Sequence, residues 1–239
     1  MNKSAAQKGS ITKLLFDNVI YVFLILLVIG IVIASPDFLS VTNLINILSQ
    51  SSSRIIIALG MAGILITAGT DLSAGRMVGL AAVVSASMLQ AGDYAYKMYP
   101  NLPELPLIVP ILIAMIATGL ISTLNGVIVA KLHVPPFIAT LGMMIGVYGI
   151  TSIYFDRPPY GAQPIGGLSE KFTTFAQRGI PIGSYELPYL VLYAIITTAV
   201  IWVIWNKTQL GKNMYAIGGN PEAAKVSGVN VARNLIIIY

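Results

Sequence analysis

Long apolar runs separated by short polar segments set the pattern of this chain. They cover roughly residues 14–34, 44–67, 74–89, 107–130, 137–154 and 187–205. A helix needs about 20 apolar residues to cross a bilayer, and each run reaches that length or comes near it with tilt and flanks. A further run starts at Leu235 and continues to Tyr239. It predicts the beginning of a seventh span in a longer protein. In lipid every backbone N–H and C=O must be bonded within the protein, so only helices or a closed barrel can span. The runs are too long and continuous for alternating barrel strands of about ten residues. The expected fold is all-α: one polytopic transmembrane helical bundle over residues 1–239, with about six complete spans and the start of a seventh.

Composition agrees with that pattern. Hydrophobic residues make up 56% of the 239 and charged residues only 10%, against about 25% charged in soluble domains. With no cysteine, disulfide and thiol chemistry are excluded. The formal charge of +5 calls for no nucleic acid, because cytoplasmic loops of membrane proteins are enriched in Lys and Arg. Placing the N-terminus inside puts Lys3, Lys8, Lys13, Arg76, Lys131, Lys207, Lys212, Lys225 and Arg233 on the inner side. Arg54, Lys97, Arg157, Lys171 and Arg178 are left outside or within a span. The bias favours a cytoplasmic N-terminus. No small-residue cleavage site closes the first run, so it is expected to remain as a span. Residues 155–186 then form an extracytoplasmic loop, whose "SEKFTTFAQ" suits a short surface helix. Residues 211–233 form a cytoplasmic loop.

That inner loop contains "GGNPEAAKVSGVN". Asn220 is a suitable N-cap, Pro221 suits the first helical position, and Glu222 falls where the helix dipole favours an anion. Ala223 and Ala224 keep the surface thin, and Gly228 is a suitable stop. Such a helix fits a groove on another protein, or is an ordinary capped loop helix. "GTDLSAGR" (69–76) interrupts the apolar pattern: Asp71 or Ser73 can cap the third helix, and Gly69 permits a tight turn. It is either a cytoplasmic turn or a buried break beside a translocation path. "NILSQSSSR" (46–54) brings Asn46, Gln50, Ser51 and Arg54 into the second span. Polar groups there line an aqueous cavity or bond helices together. Gly75/Gly79 and Gly142/Gly146 have the spacing for close helix approach. His133 is expected at an inner interface, outside any site.

Glu222-Ala223-Ala224 with Gly228 resembles the coupling loop of ABC-importer membrane subunits. "TAGTDLSAGRMVGLAA", "LNGVIVAKLHVPPFIATLGMM" and "GKNMYAIGGNPEAAKVSGVNV" resemble the sugar-permease branch serving ribose, xylose and galactose, most of all its galactoside transporters. The resemblance implies a bacterial plasma (inner) membrane protein that is not itself an enzyme and uses no cofactor or metal. It further implies a cytosolic ATPase docked on residues 220–224 and 228, an extracytoplasmic sugar-binding protein and a second permease copy. No G-x-x-x-x-G-K-[ST] occurs: Gly211-Lys212 is followed by Asn213, with Asn206 at the first glycine position. ATP hydrolysis would therefore fall to the partner. Two other classes compete. An ion-coupled secondary transporter would have Asp71 as its one plausible intramembrane carboxylate. An intramembrane hydrolase would need Ser73 and His133 as a dyad.

Overall fold

The computed structural model describes residues 16–157, 161 and 163–239. The start of the first apolar run and Lys3, Lys8 and Lys13 lie outside the described residues, as do 158–160 and 162 in the 155–186 loop. Two compact units divide after Gln50. The first holds helix α1 (Val19–Ala34), a 3-10 turn (Pro36–Leu39) and the beginning of α2 (Val41–Ile66). Ser40 starts α2: its Oγ accepts the Asn43 N–H at 3.2 Å, while Asn43 Nδ2 donates to the Phe38 carbonyl at 2.7 Å.

The second unit holds the rest of α2, then α3 (Ala74–Met88), α4 (Ile108–Lys131), α5 (Pro136–Phe155), α6 (Glu170–Gln177), strands β1 (Gly179–Ile182) and β2 (Tyr185–Pro188), α7 (Tyr189–Lys207), α8 (Gln209–Gly219), α9 (Pro221–Val226) and α10 (Val231–Ile238). Helices α2, α4, α5 and α7 are long and apolar enough to cross a membrane, whereas α1 and α3 are shorter. Both α4 and α5 pack on α3 around Met77, Leu80, Val84, Ala114 and Val147. Outward faces stay apolar, as at Leu120 and Ile153. That is the surface expected where the solvent is lipid. Hydroxyls within the helices bond to carbonyls one turn back, as Thr118 does to Ala114 and Thr151 to Val147. No hydroxyl proton is then left facing hydrocarbon at these positions.

The helices predicted from the apolar runs are observed in that order, and "SEKFTTFAQ" forms α6 as expected. Helix α8 and the short hairpin β1–β2 were not expected. The hairpin's signal is "IPIGSYELP": two apolar runs joined by Gly183-Ser184, with Gly183 at φ +62. Glycine at the first central position is what a two-residue hairpin turn of the II′ kind requires. The glycine pairs are a correction. A Cβ on Gly75, Gly79, Gly142 or Gly146 would meet nothing within 4 Å among the described residues. These four residues lie on exposed helix faces and mediate no close approach among the described residues.

Candidate coupling and pathway sites

Helices α8, α9 and α10 gather at the end of the unit where α4 finishes and α5 begins. Asn220 is the N-cap of α9: its Oδ1 accepts the Ala223 N–H at 3.0 Å. Pro221 takes the first helical position and Glu222 lies in the first turn. Gly228, at φ +86, stops the helix. Its N–H donates to the Lys225 carbonyl, and the Val229 N–H donates to that of Ala224, each at 3.0 Å. This pair of bonds is a Schellman stop, in which glycine takes the left-handed position. The local structure expected from the sequence is present. The direction of the small face differs from expectation. Ala224 is buried in the chain's own interior, while Pro221, Glu222, Ala223 and Lys225 are exposed. The most outward apolar side chain is Val226, 89% exposed, which sequence reasoning passed over.

Between α9 and the ends of α4 and α10 lies a groove of about 550 Å³. Val129, Ala130, Val231 and Leu235 line it, with His133, Glu222 and Lys225. An asparagine pair ties α8 to α10. Asn230 caps α10 by accepting the Arg233 N–H at 2.9 Å, and Asn213 of α8 donates to Asn234 Oδ1 at 3.1 Å.

The break between α2 and α3 is built in two parts. Helix α2 ends in a Schellman stop: the Ala68 N–H donates to the Leu65 carbonyl at 3.0 Å and the Gly69 N–H to that of Ile64 at 2.9 Å. The left-handed residue is Ala68, at φ +58, not Gly69. Glycine at 69 meets a need for space instead, because a Cβ there would lie 2.9 Å from Tyr239 Oη and 3.0 Å from Ile64 Cγ2. The start of α3 is held by Asp71, whose Oδ1 accepts both the Ser73 N–H at 2.7 Å and the Ser73 hydroxyl at 2.6 Å. Ser73 makes no side-chain cap of its own. Thr67, Asp71 and Ser73 are buried, alternating with exposed Ala68, Thr70 and Leu72. Around them, Asn125 Nδ2 donates to Ser73 Oγ at 3.0 Å, and Thr140 Oγ1 accepts the Leu72 N–H at 3.2 Å. Asn125 sits six residues before the end of α4, about 9 Å at 1.5 Å per residue. The break is therefore set into the bundle beside Asn125 and Thr140 and is not a simple surface turn. Ser73 spends its hydroxyl on Asp71 and Asn125, while His133 stands exposed beyond α4. The two form no dyad.

Asn46, Gln50 and Arg54 recur every four residues in α2, and each is exposed. Ser51 is half-buried, and the serine this helix buries is Ser52. At the opposite end lies a cluster that sequence reasoning missed. Tyr154 joins Ser87 and Tyr99 through hydroxyl contacts of 2.9 and 2.7 Å, and Arg157 donates to Tyr99 Oη at 2.8 Å. Gln90 donates to the Gly166 carbonyl and accepts from the Met98 N–H, fastening the loops at that end together.

Residues 43–239 match the family described as "Branched-chain amino acid transport system / permease component". The chain belongs to this family. The galactose/methyl galactoside import permease protein of Haemophilus influenzae is 53% identical to this permease over 99% of its length and 70% of the relative's. That of Escherichia coli is 54% identical over the same shares. The ribose import permease protein of Escherichia coli is 35% identical over 86% of this permease and 59% of the relative. No solved structure matches it significantly.

Proposed function

We propose that this permease is the transmembrane subunit of an ATP-driven importer of galactose or methyl galactoside in a bacterial inner membrane, with its N-terminus in the cytoplasm. The observation that carries the substrate is identity of 53–54% to the galactoside permeases of Haemophilus influenzae and Escherichia coli over nearly the whole chain, against 34–35% to the ribose permeases of the same two organisms. The exposed face of α9 (Pro221, Glu222, Ala223, Lys225 and Val226) docks on a cytosolic ATPase, and residues 211–233 act as its coupling loop. The end carrying α6 and the hairpin, residues 155–186, receives a sugar-binding protein.

A second copy of the permease completes the path. Support comes from α2, where Asn46, Gln50 and Arg54 share a four-residue period on a helix long enough to span. An arginine near the middle of a span must face water or protein, not lipid. The candidate path residues are Asn46, Gln50, Ser51 and Arg54 of α2 and, separately, Asp71 and Ser73 of the break. Labelled-galactose uptake in cells without their own galactoside permease tests the assignment, with the full permease, its ATPase and its binding protein supplied together. Uptake should stop on ATP depletion and survive a protonophore given with ATP. Uptake that follows the ion gradient instead would favour an ion-coupled transporter.

A further inference from the structure

Helix α10 touches the part of α4 that holds the buried break, and its C-cap Tyr239 touches the break itself. At the first contact, α10 meets α4 backbone to backbone: a Cβ on Gly126 would lie 2.8 Å from Ile236 Cα and 3.2 Å from its carbonyl oxygen. One residue earlier, Asn125 is 0% exposed and holds Ser73. At the second, Tyr239 Oη donates to the Thr70 carbonyl at 3.3 Å and crowds Gly69. The coupling helix α9 leads into α10 through Gly228 and Asn230, so both contacts lie between the proposed ATPase surface and the break.

Asn125 has a polarity imposed on it. Ser73 owns one hydroxyl proton, and the 2.6 Å contact to the acceptor Asp71 uses it. Towards Asn125, Ser73 Oγ can then only accept, so the amide must present its NH₂ group. The other end, Asn125 Oδ1, is buried with no donor among the described residues.

We propose that Asn125 is a positioning residue for transport. It holds the 67–73 break in register with α10, so that displacement of α9 is delivered to the break. This rests on the ATP-driven reading above. The test reconstitutes the full permease with its ATPase and galactose-loaded binding protein in vesicles. It compares Asn125→Ala, Gly126→Ala and the control Leu124→Ala, whose side chain is exposed on the same helix. Both joint variants should assemble and keep basal ATP hydrolysis, yet lose about tenfold or more of sugar-stimulated hydrolysis and uptake per assembled complex, the size of an ordinary coupling between sites. The control should match wild type. Wild-type uptake per complex in Asn125→Ala and Gly126→Ala would overturn the proposal. Should Asn125→Ala alone fail to assemble, Gly126→Ala decides. Loss of assembly in both would make the joint structural and overturn it too. A wild-type complex with no sugar-stimulated hydrolysis would sink the importer reading itself.

Discussion

Gly218 of α8 lies against the carbonyl of Ile66, the last residue of α2. A Cβ on Gly218 would fall on that oxygen, with Thr67 Cα 3.5 Å away. Because the obstacle is backbone, no rotamer change relieves it. Gly218→Ala must push α8 away from the end of α2, at the cost of about 1–3 kcal/mol typical of overpacking. Thermal unfolding of the purified permease in detergent should show a lower midpoint. Gly219→Ala, where a Cβ meets nothing within 4 Å, is the matched control and should not lower it. Equal behaviour of the two would mean that α8 is not seated on α2.

Ala68 invites the opposite change. It occupies the left-handed stop of α2 at φ +58 and is exposed, so little packing is lost with its methyl group. A non-glycine residue pays roughly 1–2 kcal/mol in that conformation. Glycine recovers this, less about 0.5–1 kcal/mol for the freer unfolded chain. Ala68→Gly should raise the unfolding midpoint by the equivalent of up to about 1 kcal/mol. A lowered midpoint would mean that the stop is not held in this conformation.

These two sites mark where the sequence was legible and where it was not. The spans and the caps of α9 follow from local chemistry, since apolar run length, Asn-Pro and a following glycine act within a few residues. Which glycine serves which need is decided by distant partners. Gly69 looked like a turn residue but makes room for Tyr239, while Gly75 and Gly79 looked like a packing motif but face open space. Burial of Ala224 and exposure of Val226 depend on how α9 is rolled against α8, which a six-residue helix does not encode by period. The cluster of Ser87, Tyr99, Tyr154 and Arg157 joins residues up to 70 positions apart, and each is unremarkable alone.

The stripe on α2 yields a transport prediction. If Gln50 and Arg54 border the sugar path, Gln50→Leu should slow galactose uptake severalfold without releasing the ATPase, because a neutral donor and acceptor is lost from the path while the helix gains apolarity. Initial uptake rates and co-purification measure the two effects separately. Unchanged uptake with a lowered unfolding midpoint would assign this face to helix packing instead.

Val226 and Glu222 allow the docking face to be tested without disturbing the fold. Val226 is 89% exposed at the C-terminal end of α9, so Val226→Asp removes no internal packing. In a docked complex it would place an unpaired carboxylate in an apolar contact, a penalty of several kcal/mol. Glu222→Lys reverses the charge in the first turn, a local cost of about 0.3–1 kcal/mol from the helix dipole. At an interface it also sets the wrong sign against whatever basic group the ATPase presents. Gly228→Val acts through the backbone: a Cβ there has open space but cannot easily hold φ +86. It should therefore unravel the end of α9 and lower stability by more than Val226→Asp, whose carboxylate at the C-terminal end of the helix costs only about 0.3–1 kcal/mol. All three variants should reach the membrane, since none lies in an apolar span. Pull-down of the ATPase should fall for each, with Val226→Asp losing binding while its unfolding midpoint shifts only slightly. If Val226→Asp and Glu222→Lys both bind the ATPase at wild-type strength and transport normally, α9 does not dock by this face.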